Sequence, residues 1–107
     1  MSKIRIKYEV TKAIMNCSNS FSDNCPHANG ILKALEDYDV TDTFGKKVKD
    51  YRVSVTPSEV FVIFPFGNPL AFGTLPRRTE KWIDQWDEHC YGGYTPKPGT
   101  FFVTLEW

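Results

Sequence analysis

Two stretches of strict alternation bracket the chain. Near the start runs Lys3-Ile4-Arg5-Ile6-Lys7-Tyr8-Glu9-Val10, and at the end Phe101-Phe102-Val103-Thr104-Leu105-Glu106-Trp107. A period of two marks a strand with one core face and one wet face, so both ends of the chain belong in a sheet. Everything else has to fit between them. Ala28, Ile31, Leu32, Leu35 and Tyr38 recur at helical spacing, as do Trp82, Ile83, Trp86 and Cys90. Between those helices Tyr51, Val53 and Val55 alternate with Arg52 and Ser54, Val60 to Phe64 is apolar on both faces, and the two stretches read as a hairpin turning at Thr56-Pro57-Ser58-Glu59.

The resulting order is strand, helix, strand, strand, helix, strand. It predicts an α+β fold of one domain spanning 1–107, a four-stranded antiparallel sheet with two helices on one face. This is the split βαβ, ferredoxin-like order β-α-β-β-α-β. Strand order 4-1-3-2 puts the doubly apolar third strand and the first strand in the middle. Ser22 or Asp23 can cap the first helix, with Pro26 in its first turn, while Gly30 weakens that helix by roughly 1 kcal/mol relative to Ala. Thr74 or Leu75 can precede the second helix, with Pro76 at its first position, or Thr79 can cap a later start. The stretches 11–22 and 64–76 read as irregular embellishments, although Ala13, Ile14 and Met15 could begin a short helix.

Thirteen basic and thirteen acidic residues cancel, whereas a domain built to grip phosphate backbones is usually distinctly basic. Met1 leads straight into a strand, with no charged-then-apolar leader and no apolar run near 18 residues. Three cysteines suggest no disulfide framework. These features set the expectation of a cytoplasmic protein with no membrane association and no cofactor. The aromatic content is the exception in an ordinary composition. Eight Phe, five Tyr and three Trp must be buried, stacked or offered to a partner.

Phe64 to Pro76 contains three Pro and two Gly, yet it also holds Phe64, Phe66, Leu70, Phe72 and Leu75. Read as a loop, it either folds back to complete the core or presents Phe66, Leu70 and Phe72 as stiffened anchors for a partner. A second set is Cys25, His27, His89 and Cys90. Antiparallel helices would bring the start of the first near the end of the second, and two Cys with two His suit tetrahedral zinc. The spacing argues against it, because Cys-x-His and adjacent His-Cys are not usual ligand pairs. Without a metal, Cys25 in a first helical turn beside a histidine could be a nucleophile, but no orienting third residue presents itself.

The third set lies on the sheet face opposite the helices. Lys3, Arg5 and Lys7 point there, joined by Arg52, Phe102 and either Phe61 with Ile63 or Val62 with Phe64. Cations interleaved with aromatics suit a protein partner or single-stranded nucleic acid, although the aromatic signature of the common RNA-binding sheet is missing. Tyr91 to Gly99 is a Tyr- and Gly-containing connection with a weaker signal.

Catalytic constellations are absent while aromatic surface is in excess. The sequence therefore favours a small non-enzymatic module that docks on another protein. Its style resembles, by analogy alone, the inhibitors of host machinery made by phages and mobile elements. The alternatives are a metal- or Cys/His-dependent enzyme using Cys25, His27, His89 and Cys90, and a single-stranded nucleic-acid binder using the open sheet face.

Overall fold

The first and last strands do pair with each other, along their whole length. In the computed structural model, which describes residues 2–19, 21, 24–38, 51–56, 58–63, 69–93 and 95–107, Lys3 faces Glu106 and Val10 faces Gly99 across one antiparallel ladder. The described elements are β1 (Lys3–Val10), α1 (Lys12–Asn16), α2 (Pro26–Glu36), β2 (Arg52–Val55), β3 (Glu59–Ile63), β4 (Pro69–Thr74), α3 (Arg77–Cys90) and β5 (Gly99–Glu106).

This corrects the four-stranded, two-helix expectation. The sheet has five antiparallel strands in the order β1-β5-β4-β3-β2, and the described residues include three helices. The first strand is an edge rather than a central strand, and the last is interior. The extra strand, β4, arises from the stretch read as a loop. Pro69 opens it, a position where proline's missing N–H is tolerated. Val62 pairs with Ala71 and Ile63 with Pro69, so Leu70 is the additional residue of a β-bulge. Beyond the bulge the strand alternates, with Ala71, Gly73 and Leu75 buried and Phe72 and Thr74 exposed. Gly73 is required there, because any side chain would run into the Thr104 carbonyl of β5.

α2 packs against both β1 and β2, which are the two edges of the sheet. A flat sheet could not place both edges on one helix, so the sheet curls into a half-barrel around α2. The core is the lining of that trough: Ile6, Tyr8, Val10, Val53, Val55, Val60, Val62, Val103 and Leu105 from the strands, against Ala28, Ile31 and Leu35 of α2. α2 also presses its backbone onto β1. A Cβ at Gly30 would lie 2.8 Å from the Glu9 carbonyl oxygen.

Local chemistry sets the helix starts. Thr11 caps α1, its Oγ1 accepting from the Ile14 amide at 3.1 Å. Cys25 caps α2, its Sγ accepting from the Ala28 amide at 3.4 Å, and Pro26 takes the first helical position. The expected caps Ser22 and Asp23 lie outside the described residues. α3 has Pro76 at its N-cap rather than at its first position, so it begins one residue later than expected and lacks a side-chain cap. It buries Thr79, Trp82, Ile83 and Trp86. Both indoles are tethered: Trp82 Nε1 donates to the Lys97 carbonyl at 2.7 Å, and Trp86 Nε1 to the Asn19 carbonyl at 2.9 Å. None of the described helices is long and apolar enough to cross a membrane.

Candidate functional site

Register determines which side chains share the outer face of the sheet. Lys3 stands opposite Glu106, Glu106 opposite Phe72, Phe72 opposite Phe61 and Phe61 opposite Ser54. These residues form a continuous row across all five strands. Lys3 Nζ meets Glu106 Oε1 at 3.1 Å. Further along β5, Phe102 stands opposite Lys7, and the Arg5 guanidinium lies 4.2 Å from the centre of the Phe102 ring. Arg5, Lys7 and Arg52 are exposed, while Phe61 and Ile63 are half-buried. Of the two sets weighed for this face, β3 therefore contributes Phe61 with Ile63. Val62 is fully buried on the inner side, and Phe64 lies outside the described residues.

Phe72 and Phe102 remain 42% and 39% exposed, which is the notable property of this face. Glu106 and Phe102 are four positions apart on β5, so the two phenyl rings sit on neighbouring strands at roughly 13 Å along the strand direction. The partner surface expected on 64–76 thus separates into three parts. Phe72 projects outward from β4, Leu70 turns into the core at the bulge, and Phe66 lies outside the described residues. Lys3, Arg5 and Lys7, expected outward, are outward.

The cysteines and histidines are distributed differently. His27 is wholly buried at the start of α2, in a box of aromatic rings. Its ring centre lies 4.7 Å from Trp82 and 4.5 Å from Phe101, both in edge-on contact. Nδ1 is hydrogen-bonded to the Tyr8 hydroxyl at 2.7 Å, while Nε2 has no hydrogen-bond partner among the described residues. Burial holds this imidazole neutral, lowering its pKa to about 3. The same desolvation pushes the Tyr8 hydroxyl upward, so the pair is uncharged.

His27 meets α3 at Trp82, two turns before His89, a rise of roughly 10 Å. His89 instead packs beside Trp86, with its Nδ1 3.0 Å from the Thr95 hydroxyl. Cys90 is exposed, and all three cysteines are free thiols. Among the described residues, no three His, Cys, Asp or Glu side chains are grouped as a metal ion would need. Cys25 does sit in a helix's first turn, but burial pushes its thiol up, the reverse of what an attacking thiolate requires. Its sulfur is occupied as a helix cap, and its would-be base is tied to Tyr8.

Sequence reasoning missed the row through Glu106, Phe72 and Phe61. The available signal was alternation in Ala71-Phe72-Gly73-Thr74-Leu75, concealed because two of its inward residues are Ala and Gly. Comparison with family models, with characterised proteins and with solved structures gives no match to this chain.

Proposed function

We propose that this protein is a non-catalytic module that docks on another protein through the outer face of its curled sheet. Phe72 and Phe102 serve as apolar anchors, and Lys3, Arg5 and Lys7 form a basic rim. The observation that carries this reading is the pair of half-exposed phenyl rings on adjacent strands. α2 and the indoles of α3 both meet inward-facing residues, so neither spreads over those rings. Anchors roughly 13 Å apart fit within one standard footprint of about 800 Å² per partner. Three cations in register on β1, with only Lys3 in a side-chain ion pair among the described residues, call for a partner with an acidic rim.

The contact between Arg5 and Phe102 favours protein over single-stranded nucleic acid. Base stacking needs a free ring face, and the guanidinium already lies over this one. An arginine stacked on an aromatic ring is, in contrast, a common hot-spot element in protein interfaces.

The test pairs Phe72→Ala with Phe102→Ala. The two residues are solvent-facing, so the melting temperature should hold within a few degrees. Each truncation should weaken capture of the partner about thirtyfold, corresponding to roughly 2 kcal/mol per anchor. A double variant that still captures the same protein at full strength would refute the reading, as would a captured species that proved to be nucleic acid.

A further inference from the structure

α3 separates its charges. Arg77, Arg78 and Lys81 line one side with Trp82 and Gln85, whereas Glu80, Asp84, Asp87 and Glu88 recur at helical spacing on another. The basic side opens onto two adjoining clefts of about 480 and 370 Å³, which share Arg78, Trp82 and Gln85. The second, an open hollow, is bounded on one side by the 96–99 segment, with Lys97 and Phe101 in its wall. Among the described residues, four cations and no acidic side chain line this hollow. Arg77, Lys81 and Lys97 have no ion-pair partner among the described residues.

Two further features mark the cleft as built for an anion. Arg77 and Arg78 occupy the first turn of a helix that has no side-chain cap, where the macrodipole disfavours cations. Glu80 is that turn's own acidic residue and answers the macrodipole, whereas the two arginines oppose it. Arg78 is also held in position: its guanidinium stacks 5.2 Å from the Phe101 ring centre, and Nη2 points at the Thr100 carbonyl at 3.5 Å. An oriented guanidinium fork is the usual means of gripping phosphate oxygens on two sides.

We propose that this cleft binds a small anion carrying two or more linked phosphate groups, held by Arg77, Arg78, Lys81 and Lys97. The site is separate from the sheet face and stands or falls independently of it. Linked phosphates fit the cation count and the joined shape of the two clefts, which exceed the needs of a single carboxylate.

The indole of Trp82 gives a local reporter, because its Nε1–H bonds to the Lys97 carbonyl in the cleft wall, while Trp107, beyond the far end of β5, is an internal reference. Inorganic tripolyphosphate, titrated at constant ionic strength, should shift the Trp82 indole resonance to saturation and leave that of Trp107 in place. Arg78→Gln with Lys81→Gln should weaken binding at least tenfold without altering the fold, and Lys97→Gln, on a different segment, should weaken it too. Arg5→Gln with Lys7→Gln on the sheet should not. The proposal fails if the shifts drift linearly without saturating, if Trp107 moves with Trp82, or if the cleft variants bind as tightly as the parent.

Discussion

His27 is the residue whose environment departs furthest from its chemistry in water. An imidazole among Tyr8, Trp82 and Phe101, with one nitrogen bonded to a hydroxyl and the other without a partner among the described residues, has no room for a charge. Its pKa is about 3 when folded against an ordinary value of 6.5, so between those limits the unfolded chain takes up a proton that the folded chain refuses. Its contribution to stability is thus complete above pH 6.5 and declines as the pH falls toward 3. At about 1.36 kcal/mol per unit, the loss across that window is on the order of 4 kcal/mol. Denaturant unfolding at a series of pH values, for the parent and for His27→Phe, should show a steep acid decline that the variant largely lacks. Equal slopes in the two proteins would mean that the imidazole becomes charged within the fold.

Gly30 shows how an element's own preferences yield to its neighbours. In the middle of a helix, Gly to Ala normally stabilises by about 1 kcal/mol. Here the added methyl would meet the Glu9 carbonyl at 2.8 Å, and backbone on an ordered strand does not give way cheaply. Gly30→Ala should therefore lower the melting temperature, and a rise would show that α2 rides further from β1 than the structure has it. The same residue illustrates what was legible beforehand. α2 and α3 could be read from apolar spacing, β1, β2 and β5 from alternation, and β3 from a run apolar on both faces, because their inward residues are large. Gly30 registered only as a weak point in a helix, since a close approach depends on a strand twenty residues away. β4 stayed hidden for a related reason. Its inward Ala71 and Gly73 are small because β5 comes close, and Pro69 with the bulge at Leu70 breaks the alternation. The outer cations Lys3, Arg5 and Lys7 were legible for the same reason as β1 itself. Phe72 was singled out as an anchor, but its place in a row with Glu106 and Phe61 followed only from the register.

At the level of the whole molecule, the order β1-β5-β4-β3-β2 leaves the first two strands of the chain at opposite edges of the sheet. α2 lies between them in sequence and touches both in space, so one helix closes the trough from side to side. That arrangement makes the outer face a single curved surface held at fixed spacing, as two anchors on different strands require. It also predicts how the fold should fail. Ile31 is fully buried on α2, and truncating it to Ala should cost about 2–5 kcal/mol. If α2 fastens both edges, that loss belongs to the sheet as a unit. Native-state hydrogen exchange of Ile31→Ala should then show the slowest amides of β1 and of β2 destabilised by the same amount, although three strands separate them. Loss confined to β1, with β2 protected as in the parent, would mean that the sheet holds its curl without the helix, and that the spacing of Phe72 and Phe102 is set by strand pairing alone.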